Sequence, residues 1–72
     1  MNTLQASKIR IFTQDDRQLY NYYIGQKLEH EDEVESIIVN DRLGEFKVDV
    51  EFKEAGTRIF VGYKYIIDLI KE

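Results

Sequence analysis

The segment Glu45-Phe46-Lys47-Val48-Asp49-Val50-Glu51-Phe52-Lys53 limits what this chain can fold into more than any other stretch. Apolar and charged residues alternate one by one, so an extended backbone puts Phe46, Val48, Val50 and Phe52 on one face and five charges on the other. On a helix the same residues would scatter around the whole circumference. The segment therefore reads as a half-buried antiparallel strand, with one face on a core and one in water. Such a strand needs neighbours, and the flanking sequence supplies them. Lys53-Glu54-Ala55-Gly56-Thr57 is a short connection with a glycine where a positive φ is needed, and Arg58-Ile59-Phe60-Val61 resumes an apolar run, which together read as a hairpin. Upstream, Val34-Glu35-Ser36-Ile37-Ile38-Val39 is rich in β-branched residues, and Asn40-Asp41-Arg42-Leu43-Gly44 has the composition of a turn. Three strands in a meander follow, with Phe46, Val48, Val50, Phe52, Ile59 and Val61 as the expected core.

The remaining segments extend the same pattern. Lys8-Ile9-Arg10-Ile11-Phe12-Thr13 reads as a strand, Gln14-Asp15-Asp16-Arg17 as a turn, and Leu19-Tyr20-Asn21-Tyr22-Tyr23-Ile24 as a further strand that Gly25 breaks. In the tail, Tyr63, Ile66, Ile67 and Ile70 have helical spacing, yet the same residues suit a tight turn followed by a closing strand. The number of strands already present favours the second reading. At 72 residues the chain has room for one domain, and it is 43% hydrophobic with no cysteine and one histidine, so disulfides and a zinc cluster are not its staples. The ordered unit is expected from about Ser7 to about Ile70. There is no long apolar run that would make a membrane helix. The first residues, Met1 to Ser7, have neither the charged nor the apolar region of a secretory signal, and the chain is expected in the cytoplasm.

This order of parts resembles an SH3-like small β-barrel. Tyr23-Ile24-Gly25-Gln26-Lys27-Leu28 is similar to the entry into such a barrel, an acidic loop and three meandering strands follow, and Gly62 to Ile70 is similar to its 3₁₀ turn and last strand. The resemblance spans Tyr22 to Ile70. It implies a mainly β fold of five to six antiparallel strands, with a short helical or 3₁₀ turn near the C-terminus, and implies no function. The peptide-binding members stack proline rings on a tryptophan after the second loop. Arg42-Leu43-Gly44-Glu45-Phe46 offers none, so polyproline recognition does not carry over.

Two features stand out as binding candidates. Glu29-His30-Glu31-Asp32-Glu33-Val34-Glu35 holds five carboxylates in seven residues, and with the rest of the chain nearly balanced it accounts for the formal charge of −4. Its spacing fits neither a calcium loop nor a zinc helix, so it reads as a solvated acidic loop, or as a surface for a basic or DNA-binding protein. The second feature is the tyrosines. Alternation puts Tyr20 and Tyr22 on one face of their strand, while Tyr63 and Tyr65 fall near the closing turn, where barrels of this kind often bind ligands. Packing in a small core is the simple account of such rings, and interface contact is the functional one.

Catalysis has little to build on. Ser7, Ser36 and His30 do not suggest a triad, no metal or cofactor site is expected, and the glycines are too dispersed to cradle a phosphate. The lysines and arginines are interleaved with acids, which argues against backbone-driven nucleic-acid binding, although Lys8, Arg10 and Lys64 are candidates for a local cationic stripe. The expectation is thus a small non-enzymatic protein-interaction module, with contacts through Tyr20, Tyr22, Tyr63 and Tyr65 and the acids Glu29, Glu31, Asp32, Glu33 and Glu35. A homodimer is an option, given exposed strand edges. Over Gln14 to Tyr23 the chain is also similar to the acidic, tyrosine-rich hairpin of small phage inhibitors of uracil-DNA glycosylase. That likeness implies a phage or mobile-element accessory protein that binds or inhibits a host protein. The alternative from another class is a small-barrel nucleic-acid binder using Tyr20, Tyr22 and the dispersed cations.

Overall fold

The computed structural model describes residues 2–28, 32–42 and 45–71. Six strands run in order: β1 (Asn2–Phe12), β2 (Gln18–Tyr23), β3 (Val34–Arg42), β4 (Glu45–Phe52), β5 (Gly56–Val61) and β6 (Lys64–Ile70). All pairings are antiparallel, with the spatial order β2-β1-β3-β4-β5 and β6 attached to β1. The result is a curled half-barrel of six antiparallel strands, the coarse form of the mainly β fold that the resemblance implied. None of the described residues is helical. The short helical turn expected near the C-terminus is instead a two-residue link, where Gly62 at φ +79° carries the chain from β5 on β4 to β6 on β1. No helix of the described residues is long and apolar enough to cross a membrane.

β1 organises the sheet. It is longer than the Lys8–Thr13 strand read from the sequence, beginning at Asn2, and its first five residues pair with β3 from Asn2↔Asp41 to Ala6↔Ile37. Its second half pairs with β2, from Lys8↔Tyr23 to Phe12↔Gln18, while β6 runs alongside from Ala6 to Phe12. No local signal in residues 3–6 predicts this extension, because Ala6 alone of them is buried. The buried positions of β1 are Ala6, Ile9 and Ile11, a change of parity that strict alternation forbids. The register with β6 slips between Ala6 and Lys8 and again between Lys8 and Ile9, and this irregularity turns the strand so that both halves face one core. Gly25 ends β2, and its N–H donates to the Val34 carbonyl while Val34 N–H donates to the Gln26 carbonyl, which returns the chain to the start of β3.

The core comprises Ala6, Ile9, Ile11, Tyr22, Val34, Ile37, Val39, Val48, Val50, Phe52 and Phe60, with Ile24, Leu28, Tyr65 and Ile67 packed against it. Val48, Val50 and Phe52 lie where the alternation puts them; the Phe46 side chain lies outside the described residues. In β5 the expectation is corrected. Ile59 and Val61 are 54% and 60% exposed, and Phe60 is buried instead. The cause is the hairpin: a three-residue turn at Lys53-Glu54-Ala55 pairs Phe52 with Gly56, so Val50 faces Arg58 and Val48 faces Phe60. Directly opposed residues share a face of the sheet, which makes Arg58 and Phe60 the inward residues. Gly56 has φ +94°, the left-handed conformation that this turn needs at that position.

Candidate functional site

β2 and β5 end the sheet and have no backbone pairing with each other; their inward side chains meet across the barrel instead. Tyr20 and Tyr22, two residues apart on the inner face of β2, stack with ring centroids 5.5 Å apart and planes 14° apart. Tyr22 is buried, edge-on to Phe52 at 6.2 Å and tilted against Phe60 at 6.1 Å. Tyr20 reaches Phe60 at 5.3 Å, and Phe60 meets Tyr63 in an edge contact at 5.7 Å. Five rings thus run without a break from the core to the surface, where Tyr20 is 38% and Tyr63 40% exposed. Each such pair contributes about 0.5–1.5 kcal/mol beyond area burial, so the exposed rings are held by the buried ones. The Arg58 guanidinium sits over the Tyr20 ring at 5.5 Å and donates from Nη1 to the Tyr22 hydroxyl at 3.3 Å.

Beyond Tyr63 the surface continues into an open groove of about 810 Å³ with Phe12, Tyr63, Tyr65 and Ile66 in its lining. Lys64 and Asp16, paired at 2.9 Å, also line it, and Gln14 Nε2 donates to the Gly62 carbonyl beside them. Three of the four tyrosines singled out from the sequence are therefore brought to one side of the molecule with an apolar groove. Tyr22 is not available for contact. Its phenol anchors the row from below.

The acidic segment does not form one patch among the described residues. Asp32 folds back onto the β4–β5 turn, its Oδ2 accepting from the Glu54 and Ala55 main-chain N–H groups, the latter at 3.2 Å. Glu33 pairs with Lys53 at 2.9 Å, and this hydrogen bond holds the Glu33 carboxyl below its ordinary pKa and raises that of Lys53. Glu35 is exposed on β3. Glu29, His30 and Glu31 lie outside the described residues. Two of the acids thus fasten the β4–β5 turn.

The register between β1 and β6 does bring Lys8, Arg10 and Lys64 to neighbouring positions, but Arg10 and Lys64 are each paired with an acid. Arg10 makes a forked contact with Asp68, Nε to Oδ2 at 2.9 Å and Nη2 to Oδ1 at 2.8 Å, which holds the Asp68 carboxyl below its usual range, with Lys8 adding to the effect. Lys64 is engaged by Asp16. With two of its three cations paired in this way, the stripe has less counterion to release on meeting a phosphate backbone.

Sequence reasoning missed Arg58 and Phe60, the two β5 residues that complete the aromatic row. The signal was present in the three-residue turn that precedes Gly56, which fixes the parity of β5 against β4. No family model, no curated protein and no solved structure matches this chain.

Proposed function

We propose that this chain is a small non-enzymatic protein-interaction module that holds an apolar segment of a partner protein against Tyr20, Tyr63 and the adjoining groove. The observation that carries the reading is the row of rings from Phe52 to Tyr63, whose last members stand half-exposed at the open side of the sheet. Tyrosines anchored in this way offer contact area at small entropic cost, since their rotamers are already fixed. Arg58 adds a cation beside the rings, a residue type favoured with tyrosine where interfaces are strongest. An SH3-like reading of the half-barrel agrees with a ligand surface at this end, and the likeness of Gln14 to Tyr23 to the hairpin of small phage inhibitors is in keeping with an accessory protein of a phage or mobile element that binds a host protein. Two features speak against the nucleic-acid alternative: Tyr22 is buried and unable to stack on a base, and Arg10 and Lys64 are paired with acids.

The test uses the full chain immobilised as bait in lysate of its native cell, beside a Tyr20→Ala/Tyr63→Ala double variant whose fold is checked by circular dichroism. A protein retained by the wild type and lost with the double variant is the expected result. An oligothymidylate titration followed by NMR at ~100 mM salt, where exposed charges are screened beyond about 10 Å, is expected to leave the tyrosine signals in place. Saturable shifts at Tyr20 and Tyr63 with the oligonucleotide, or retention indifferent to the double variant, would overturn the proposal.

A further inference from the structure

β2, β5 and β6 each present an edge with no backbone partner among the described residues. Natural proteins blunt such edges with charges, bulges or irregular ladders. β2 carries a bulge, since its register with β1 jumps from Ile11↔Tyr20 to Phe12↔Gln18 and leaves Leu19 unopposed. β6 is irregular at two points along β1 and holds Lys64 and Asp68. β5 has no bulge and no irregularity, and its one charge, Arg58, lies on the inward face over Tyr20. Its ladder with β4 runs without a slip from Lys47↔Val61 to Phe52↔Gly56. Its sequence Gly-Thr-Arg-Ile-Phe-Val contains no proline and no acid, and Ile59 and Val61 stand more than half exposed on its outer face.

We propose that this edge is a self-association surface, on which two copies of the chain pair β5 with β5 antiparallel about a two-fold axis at Ile59. The strand is self-complementary in that register. Ile59 meets its own copy and Thr57 meets Val61, so the exposed aliphatic residues of both copies cover one another on the outer face. Arg58, the one charge in the strand, falls opposite Phe60 of the second copy and not opposite itself, which avoids the like-charge pair that would penalise most self-paired strands. At each end of the paired strands, the Lys53-Glu54-Ala55 turn of one copy meets the Gly62-Tyr63 link of the other. The symmetry closes, so association stops at a dimer with one continuous sheet, and the contact is isologous. This surface uses the edge of β5, whereas the partner reading uses the rings of Tyr20 and Tyr63, so either can fail alone.

Sedimentation equilibrium of the full chain over a concentration series tests the proposal. Wild type is expected to reach twice the monomer mass, and Ile59→Lys, which sets two like charges face to face at the axis, is expected to remain monomeric at every concentration. In the monomer that lysine would stand opposite Asp49 on the exposed face of the sheet, so an unchanged circular dichroism spectrum is expected. Because the chain has no cysteine, a second variant reads the register directly. Ile59→Cys is expected to form an intermolecular disulfide under mild oxidation at least tenfold faster than Leu69→Cys, which is equally exposed on β6. A wild type that stays monomeric at millimolar concentration, a dimer that Ile59→Lys leaves intact, or equal cross-linking of the two cysteine variants would each refute it.

Discussion

Replacing Asp32 by alanine separates a structural use of the acidic segment from a recognition use. The Asp32 carboxylate accepts from the main-chain N–H groups of Glu54 and Ala55, and so ties the start of β3 to the turn that fixes the parity of β5. A hydrogen bond is worth about 0.5–1.5 kcal/mol net, rising to about 1.5–3 kcal/mol with a charged partner. Glu54 and Ala55 are exposed, so their freed N–H groups would take up water, which holds each bond near the lower range. The expected loss for Asp32→Ala is therefore about 1–2 kcal/mol. In a domain of this size 1 kcal/mol moves Tm by about 4–8 °C, so a fall of roughly 5–15 °C in thermal melts followed by circular dichroism is the expected reading. Asp32→Asn keeps an acceptor oxygen at the same place and should lose no more than about half as much. Glu35→Ala, at an exposed site on β3, should stay within about 0.5 kcal/mol of wild type. The reasoning fails if Asp32→Ala melts within about 2 °C of wild type, and a simultaneous loss of partner capture would then assign the carboxylate to recognition.

Three further outcomes follow from the structure. Asp68, Glu33 and Asp15 have carboxyl groups held below their ordinary values, chiefly by hydrogen bonds from Arg10, Lys53 and the Thr13 hydroxyl respectively. Their folded-state values lie below the unfolded ones, so their contribution is present above about pH 4 and disappears as pH falls through the folded-state values; Tm should drop in acid, and Asp68→Asn should flatten that fall. Phe60→Ala is expected to cost about 3–5 kcal/mol, whereas Ile59→Ala, measured by urea unfolding at low protein concentration, should cost less than about 0.5 kcal/mol; the reverse order would restore the parity expected from the sequence. Gly56→Ala places a Cβ on a residue at φ +94°, where the surroundings are open and the penalty is conformational alone, and should lower stability by about 1–2 kcal/mol in the same assay.

The parts of the fold that were legible in the sequence are those decided by neighbouring residues. Alternation from Glu45 to Lys53 specified β4 and its inward face, and the Gly56 turn specified the hairpin, because period and turn chemistry act over a few residues. The inward face of β5 was misread because its aliphatic residues are odd-numbered while its register places even-numbered residues inside, and register is set by turn length before side-chain hydropathy. The length of β1 and its change of parity depend on handing the strand from β3 to β2 with β6 alongside, which no window of local sequence contains. Tyr20 and Tyr22 were rightly placed on one face, yet their unequal burial comes from Phe52 and Phe60 arriving from the far end of the sheet. Asp32 looked like free charge since its acceptor role is fulfilled by amides 22 and 23 positions later.

The misread strand also explains why the surface exists. Arg58 lies on the inward face of β5, directly across the hairpin from buried Val50. Enclosing a guanidinium in an apolar interior would cost several kcal/mol unless every donor were matched. The half-barrel avoids that cost by leaving β2 and β5 unpaired, so that Arg58 remains exposed while its guanidinium rests on Tyr20 and donates to Tyr22. Long cationic side chains commonly settle in this way, with the stem on apolar surface and the head in water. An aliphatic residue at this position would favour drawing the two strands together and covering Phe60, Tyr20 and Tyr63. The opening that keeps Arg58 hydrated is thus the same opening through which the ends of the aromatic row reach solvent, and the charge that disturbs the pattern of β5 is what leaves Tyr20 and Tyr63 part-exposed.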